Sequence, residues 1–300
     1  MPEVLAVDVG GTTIKVARAD GAATLLDERA TPTPVADGPA AVVAAIRAAV
    51  LDMATPAVAA ACVVVPGVVD PVAGVARHAT NLGWRDVPLR DLLMQELGVP
   101  VVVEHDVRAA GRAEQELGRL RDVRDGVLVV IGTGIAGVVL AGGEIVRGST
   151  WLAGELGHLP VRPDGEPCAC GQRGCTEVYA SAAGIARRYL ARTGRLLTAR
   201  AIAGSIATDA DAATVWDEAA AALGVALAAA TLLLDPAVIV LGGGLSRAGE
   251  ALRAPVAAAL AGRLSPLAWR PAPEVTMSPL GARAGLLGAA LLARDAVRGG

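Results

Sequence analysis

Short apolar runs separated by glycine turns dominate the first part of the chain. Val4–Val9 and Ile14–Ala19 are two apolar runs with the glycine-rich turn "GGTT" between them, a pattern typical of a β-hairpin. Apolar residues at helical spacing then run from Pro39 to Met53. The stretch "VAAACVVVPGVVD" follows, and it predicts a buried strand that ends at Pro66-Gly67.

The same order of elements recurs further along. Val99–Glu104 predicts a strand that leads into a helix over 107–117, after which Val127–Ile131 begins a second strand–turn–strand unit with Val138–Ala141. Val238–Leu241 is a further strand that ends in glycines. The remaining helices are expected at 182–192, 209–234, 246–264 and 284–294. Two such units, each beginning with a glycine-rich turn, predict a duplicated α/β core.

Composition and charge narrow the classes of partner. The chain has 300 residues, enough for two domains, and a formal net charge of -3 with dispersed arginines. We therefore expect neither nucleic acid nor a membrane as partner. The amino terminus lacks the pattern of a secretory signal, and the aliphatic run 219–234 is shorter than the ~18 residues of a spanning helix. These features predict a cytoplasmic protein with reduced thiols.

The glycine turns are candidates for binding phosphate. Gly132–Gly137 satisfies G-x-G-x-x-G, but a β-rich stretch follows it where a dinucleotide-binding site needs a helix. Glycine and threonine at a hairpin tip can instead line a phosphate with backbone N–H groups, although an ordinary tight turn is the alternative for each alone. No Walker pattern is present. Three turns, after Asp8, after Ile131 and after Leu241, together favour a nucleotide site.

Three of the four cysteines lie in one irregular segment, residues 154–177. His158 precedes Cys168, Cys170 and Cys175, and this set of ligands suits a closed, structural, tetrahedral zinc site, with free thiols as the alternative. Cys62 lies in an aliphatic strand and is expected to be a buried small hydrophobe.

Carboxylates flank the cysteine segment and also occur in a second polar stretch, "VEHDVRAAG". Glu155 and Glu177 flank the cysteine segment, either as solvated acids or as rigid acceptors for the hydroxyls of a polyhydroxylated ligand. In "VEHDVRAAG", Asp106 lies at a strand-to-helix junction beside His105, with Arg108 on the first helical turn. Asp106 is therefore either part of a helix cap or a catalytic base.

Taken together, the motifs resemble the ROK family of bacterial sugar kinases and repressors, within the actin-like, hexokinase-type ATPase superfamily. The motifs "VDVGGTTIKVA", "VPGVVD", "NLGW", "HDVRAA", "IGTGIAG", "GELGH", "CACGQRGCTE" and "LDPAVIVLGGGLS" occur in the family's order over nearly the whole chain. The resemblance implies a two-lobed actin-like (ribonuclease H-like) α/β fold with a nucleotide and sugar cleft between the lobes. It implies a small lobe over 1–107, completed by 285–300, and a large lobe over 108–284 that carries the zinc loop of residues 154–177.

The resemblance also implies a role for each motif residue. Asp106 would be the general base, with Asp8 close to Mg²⁺ and His158, Cys168, Cys170 and Cys175 on a structural Zn²⁺. ATP phosphates and adenosine would be bound by Gly10, Gly11, Thr12, Thr13, Gly132, Thr133, Gly134, Gly242, Gly243 and Gly244. The sugar would be bound by Gly67, Asn81, His105, Asp106, Glu155, His158 and Glu177.

Two positions depart from the family's glucose-phosphorylating members. Those members typically carry Asn where this chain has His105 and Arg108. An imidazole offers different donors and acceptors to a sugar hydroxyl, and such contacts determine which sugar is preferred. Arg108 is either a packing and ion-pair residue or, with His105, a group that reshapes the pocket and keeps Asp106 ionised.

We therefore predict an ATP-dependent kinase for the 6-hydroxyl of glucose or a closely related hexose. An amino or N-acetylated hexose (N-acetylglucosamine, N-acetylmannosamine, kanosamine) and a C7-cyclitol are alternative substrates. A non-catalytic sugar sensor and a nucleotide-dependent oxidoreductase are alternatives of other classes. A repressor is not expected, because the first phosphate turn begins at Asp8 and leaves no room for a helix-turn-helix domain before it. The family resemblance further implies a homodimer or homotetramer.

Overall fold

The computed structural model describes residues 2–266 and 271–299. The chain divides into two compact units. The first comprises Met1–Glu116, Ser149–Leu152 and Arg283–Gly300, and the second comprises Leu117–Gly148 and Ala153–Ala282. The division into lobes at residue 107 that the family resemblance implies stays a prediction.

A five-stranded sheet forms the centre of the first unit. The strands are β1 (Glu3–Val9), β2 (Thr13–Ala19), β3 (Leu25–Pro32), β4 (Val58–Val65) and β8 (Val101–His105). Their order is β3-β2-β1-β4-β8, in which β1, β2 and β3 form an antiparallel meander and β4 and β8 run parallel to β1. In β4 every residue but one is buried, as expected of a central parallel strand covered on both faces.

Helices cover this sheet. They are α1 (Pro39–Met53), α2 (Leu89–Leu97), α3 (Asp106–Leu117), which follows β8 directly, and α9 (Ala284–Gly299), which packs on β1 and β4. The close approach of α9 to α3 depends on Gly288, since a Cβ at this position would lie 1.8 Å from the carbonyl oxygen of Ala109.

A small antiparallel sheet of β5 (Val68–Asp70), β6 (Val75–Ala79) and β7 (Trp84–Val87) lies in the same unit. The hydrophobic pattern does not predict these strands, because they are short and β6 reads "VARHA", with arginine and histidine in the middle. Gly67 joins β4 to this sheet with a φ of 91°, and a Cβ there would lie 2.1 Å from the carbonyl oxygen of His78. A side chain at Gly67 is therefore excluded both by backbone conformation and by space.

The second unit repeats the topology of the first. Its sheet has the order β11-β10-β9-β12-β13, with an antiparallel meander followed by strands parallel to β9. The duplicated α/β core predicted from the two strand–turn–strand units is confirmed. The strands are β9 (Gly126–Ile131), β10 (Ile135–Ala141), β11 (Glu144–Ile145), β12 (Val238–Gly242) and β13 (Glu274–Met277).

The helices of the second unit are α4 (Thr176–Ala180), α5 (Ala182–Thr193), α6 (Ala199–Ser205), α7 (Ala210–Leu234) and α8 (Glu250–Leu264). By length and composition α7 could cross a membrane, but it packs against α4, α5 and α8, and most of its residues before Leu232 are buried. It is thus a core helix, as the sequence predicts.

The helix predicted to begin at Ser246 starts later. Gly244–Ala248 forms a 3₁₀ turn, and α8 begins only at Glu250. Gly249 between them has a φ of 57°, a left-handed conformation that ends the turn and cannot continue into a helix. The prediction of one continuous helix is therefore wrong by one turn.

Candidate active site

Three predicted site residues of the first unit lie at one edge of its sheet. Because β1, β4 and β8 are parallel, their carboxyl ends meet at the same edge, where open α/β sheets bind ligands. Asp8 lies near the end of β1, Gly67 just after β4 and Asp106 directly after β8. The fold thus brings together residues that are about a hundred positions apart in the sequence.

The turn between β1 and β2 is closed by its own backbone. The N–H of Gly10 donates to the carbonyl oxygen of Thr13 at 2.9 Å, and the hydroxyl of Thr33 donates to the carbonyl oxygen of Gly10 at 2.7 Å. A Cβ on Gly11 would lie 3.3 Å from Nδ2 of Asn81. The turn and Asn81 therefore lie side by side, and the lack of a side chain at Gly11 permits this approach.

Asp8 is paired with Lys15, the only lysine of the chain. Nζ of Lys15 lies 3.7 Å from Oδ2 of Asp8. Burial raises the pKa of Asp8 to about 6, the Lys15 ammonium opposes this rise, and the negative charge of Asp106 adds to it. No sequence motif by itself places Lys15 in the site. Its uniqueness and its position two residues after the glycine turn were the available signal.

The carboxylate of Asp106 is held at the junction of β8 and α3. Its Oδ1 accepts a hydrogen bond from the backbone N–H of Val107 at 2.7 Å and lies 3.4 Å from Nε2 of His105. The side chain of Asp106 remains 33% exposed, whereas only 9% of His105 is exposed. Asp106 is thus both fixed and accessible, as a general base must be.

Burial raises the pKa of Asp106 to about 6, against the opposing effects of the hydrogen bond from Val107 and of the positive charge of Arg108. Burial and the negative charge of Asp106 likewise raise the pKa of Asp8, whose counter-ion is Lys15. The edge of the sheet therefore carries two carboxylates that bind protons about two pH units above the usual range for aspartate.

This environment predicts a pH dependence of activity. A general base works only when it is deprotonated, so with Asp106 in that role kcat/KM should be constant above pH ~7 and fall at least about tenfold per pH unit below pH ~6. Initial rates with limiting acceptor and saturating Mg-ATP, in a buffer series of constant ionic strength, give this profile. A value of kcat/KM that stays constant down to pH ~5 would show that no group with this pKa has to be ionised.

Two glycine turns lie at one edge of the second sheet. Gly132–Gly134 follows β9, and Gly242–Gly244 spans the end of the parallel strand β12. The N–H of Gly132 donates to the carbonyl oxygen of Gly134 at 2.9 Å. Gly243 has a φ of 80°, and a Cβ there would lie 2.5 Å from the carbonyl oxygen of Ile131. Gly243 therefore packs directly on the end of β9, the strand that leads into the Gly132–Gly134 turn, and the two turns lie at the same edge of the sheet.

Glu177 reaches the first of these turns. A Cβ on Gly134 would lie 3.0 Å from Oε2 of Glu177. Glu177 belongs to α4, which starts directly after Cys175. One carboxylate thus lies next to both the Gly132–Gly134 turn and the cysteine segment.

The cysteine segment brings all four predicted metal ligands together. The ligand atoms of His158, Cys168, Cys170 and Cys175 lie within 4.8 Å of one another. Cys170 Sγ and Cys175 Sγ are 3.7 Å apart, and Cys168 Sγ is 3.8 Å from His158 Nδ1. With Zn–S bonds of ~2.3 Å, a tetrahedral site requires about 3.8 Å between sulfurs, so these residues fit zinc with little rearrangement.

His158 connects this cluster to the two flanking carboxylates. Its Nδ1 lies 3.6 Å from Oε1 of Glu177, and its Nε2 lies 3.8 Å from Oε2 of Glu155. A Cβ on Gly157 would lie 2.1 Å from the carbonyl oxygen of Ile135, so the backbone here rests directly on β10. The segment is therefore anchored both at its start and at its ligand cluster, and it holds two carboxylates and an imidazole in one place.

Comparison with known proteins places these features in one family. The sequence model of the ROK family matches residues 4–296. A glucokinase from Halalkalibacterium halodurans is 37% identical over 279 residues, which cover 83% of this chain and 82% of the relative. An N-acetylmannosamine kinase from Citrobacter koseri is 37% identical over 183 residues, covering 61% of this chain and 62% of the relative.

The fold is shared as well. A ROK family glucokinase from Streptomyces griseus, solved in complex with glucose and AMPPNP, superposes with a TM-score of 0.87 at 32% identity, covering 98% of this chain and 99% of that one. The predicted actin-like α/β fold class is thereby confirmed. The chain belongs to the ROK family.

Proposed function

We propose that this protein is an ATP-dependent kinase that phosphorylates the 6-hydroxyl of glucose or a closely related hexose. One observation carries this proposal. Asp106 is a fixed but accessible carboxylate at the ligand-binding edge of a sheet, close enough to Asp8 for their charges to interact, in a chain that resembles glucokinases over most of its length.

The residues of the first unit account for the chemistry. Asp106 takes the proton from the sugar hydroxyl as that oxygen attacks the γ-phosphorus, the bond from the γ-phosphorus to the oxygen of the β-phosphate breaks, and ADP leaves. Gly11 and Thr12 present their backbone N–H groups and the Thr12 hydroxyl to the phosphates, while Gly10, which closes the turn onto Thr13, leaves room for the phosphates to approach. Asp8 is the carboxylate that would hold Mg²⁺, and the ion would neutralise charge on the phosphates. Gly67 and Asn81 line the sugar pocket, with His105 beside the base.

The residues of the second unit account for recognition. Thr133 and the glycines on either side of it bind phosphate, and Gly242–Gly244 approaches the adenosine. Glu155, His158 and Glu177 accept and donate hydrogen bonds to sugar hydroxyls. His158 and the three cysteines would hold a structural Zn²⁺, which would take no part in the phosphoryl transfer. It fixes the segment that carries these groups.

The amino and N-acetylated hexoses and the C7-cyclitol remain alternative substrates of the proposed kinase. The similarity to an N-acetylmannosamine kinase covers 61% of the chain, and His105 replaces the asparagine of glucose-specific members. We further propose that the two units act as the lobes of the kinase, that the enzyme works in the cytoplasm with reduced thiols, and that it assembles as a homodimer or homotetramer.

An acceptor panel tests the function. ADP release from Mg-ATP is measured with glucose, mannose, N-acetylglucosamine, N-acetylmannosamine, kanosamine and a C7-cyclitol, and we expect the highest kcat/KM for glucose. If N-acetylmannosamine exceeded glucose by about tenfold or more, the substrate would be the N-acetylated hexose, since this is the range that one hydrogen-bonding contact controls. ADP release that did not depend on any sugar would contradict a sugar kinase, and sugar binding without turnover would indicate a sensor.

A further inference from the structure

Arg108 is the most deeply buried arginine among the described residues. Only 4% of it is exposed, although it lies two positions after the proposed base, on the first turn of α3. Its guanidinium donates hydrogen bonds to three separate segments of the first unit, all through different nitrogens. A buried cation with its donors distributed in this way fixes the distances between the segments that it joins.

The first of these bonds holds the end of β8. Nε of Arg108 donates to Oε1 of Glu104 at 2.7 Å, and the same oxygen accepts the backbone N–H of His105 at 2.8 Å. Only 3% of Glu104 is exposed. The ion pair is therefore desolvated and coupled directly to the backbone that precedes Asp106.

The second bond holds a strained residue. Nη1 of Arg108 donates to the carbonyl oxygen of Trp151 at 2.9 Å, and Trp151 has a φ of 64°. A left-handed conformation is unfavourable for a bulky side chain and persists only where surrounding contacts impose it. The segment Ser149–Leu152 belongs to the first unit although the residues on both sides of it belong to the second. Through this hydrogen bond, Arg108 holds the Ser149–Leu152 segment against the start of α3.

The third bond reaches the sheet beside Gly67. Nη2 of Arg108 donates to the carbonyl oxygen of Val69 at 3.3 Å, in the middle of β5. Val69 lies two residues after Gly67, whose backbone conformation no other residue could adopt without strain. The three bonds thus tie together the segments that carry Asp106, Gly67 and Trp151.

We propose that Arg108 is a positioning residue for the sugar acceptor: it holds β5, the Ser149–Leu152 segment and the Asp106 junction in the arrangement that the acceptor requires. This inference rests on the proposed function and goes beyond it, because it makes acceptor binding depend on a buried residue outside the proposed sugar contacts. ATP binding should depend on it little, since the turn after Asp8 makes none of these bonds.

Two substitutions at Arg108 separate the effect of its shape from the effect of its charge. Lysine at this position keeps the positive charge opposite Glu104 but cannot direct three donors in a fixed fork, and methionine keeps the apolar volume and neither property. Arg108→Lys should therefore restore the charge-dependent part of the effect but not the positional part.

The test compares Arg108→Met, Arg108→Lys and Arg112→Met. Arg112 lies one turn further on α3 and pairs with Glu116 and Asp295, so its removal costs stability at a distance from the junction. Steady-state KM for glucose, KM for ATP, kcat and the pH profile of kcat/KM are measured for each, together with the thermal midpoint. Wild type measured in parallel tests the proposed function separately. If another acceptor proves better, that acceptor is used throughout.

We expect Arg108→Met to raise KM for glucose about tenfold or more while KM for ATP changes less than about twofold. Its pH profile should shift to higher pH, because the positive charge that favours ionised Asp106 is lost. Arg108→Lys should keep the wild-type pH profile but not the wild-type KM. Arg112→Met should lower only the thermal midpoint.

The inference is wrong if Arg108→Met resembles Arg112→Met, losing stability with glucose KM and pH profile unchanged. It is also wrong if Arg108→Lys restores glucose KM completely, because charge alone would then suffice. Should Arg108→Met not fold, the lysine variant decides between these outcomes through its KM for glucose. Absence of turnover in wild type with every acceptor would count against the proposed function and not against the role of Arg108.

Discussion

Asp106→Asn is expected to lower kcat for hexose phosphorylation by about 10³-fold while KM for glucose changes little. The amide cannot accept the proton of the attacking hydroxyl, and general-base catalysis contributes roughly 10²–10⁴-fold to such reactions. Substrate positioning should persist, since asparagine keeps the shape of the side chain. The change should therefore appear in kcat, measured by coupled ADP release at saturating glucose and Mg-ATP.

Stability gives an independent reading of the same variant. The fold raises the pKa of Asp106 to about 6, above the unfolded value, so the ionised form is disfavoured in the native state. This destabilisation is present above pH ~6 and vanishes as the carboxylate becomes protonated. At pH ~8, Asp106→Asn should thus be at least as stable as wild type although it is nearly inactive.

Asp91→Asn is a matched control, because Asp91 is an exposed acid in the first turn of α2. It should keep wild-type kcat. Full activity of Asp106→Asn would remove Asp106 from the chemistry, and loss of folding in that variant would indicate a structural helix cap instead.

Cys175→Ser is expected to abolish zinc binding, lower the thermal midpoint and raise KM for the sugar by at least about tenfold. Cys175 is fully buried and immediately precedes α4, the helix that carries Glu177. A structural zinc site contributes its binding energy to folding, so its loss should loosen the segment that holds Glu155, His158 and Glu177. Metal content by mass spectrometry, KM for glucose and a thermal melt are measured on the same preparation.

Cys62→Ser is the matched control for this substitution. Cys62 is equally buried, but it lies in β4 and outside the ligand cluster. It should lose stability through the buried hydroxyl and keep its zinc. Wild-type protein purified without chelator and found to contain no zinc would contradict the structural account of the cysteine segment.

The hydrophobic pattern predicts most strands of the two five-stranded sheets, because each of them is a run of consecutive, mostly apolar residues. Apolar runs bounded by glycine turns mark β1, β2, β4, β9 and β12, and ligand chemistry alone identifies the four zinc candidates that the fold then brings within 4.8 Å. Strand β13 escapes such reasoning, since its four residues "EVTM" carry too few apolar positions for a period to show.

The role of Arg108 is harder to predict for a different reason. Two of its three acceptors, on Val69 and Trp151, are backbone carbonyl oxygens distant in the sequence, and a carbonyl has no signature in the residue type that carries it. From the sequence, Arg108 is either an ion-pair residue or a group that shapes the pocket. Its ion pair with Glu104 is now visible, and the other two bonds are the reason to test the second role.

The most direct test of the central claim is the chemical identity of the product. Purified protein is incubated with Mg-ATP and glucose, and two-dimensional proton–phosphorus NMR records which sugar protons couple to the new phosphorus signal. We expect coupling to the two methylene protons on carbon 6, together with formation of ADP in equal amount. A phosphorus signal coupled to any other sugar proton, or ADP accompanied only by inorganic phosphate, would contradict a kinase that acts on the 6-hydroxyl.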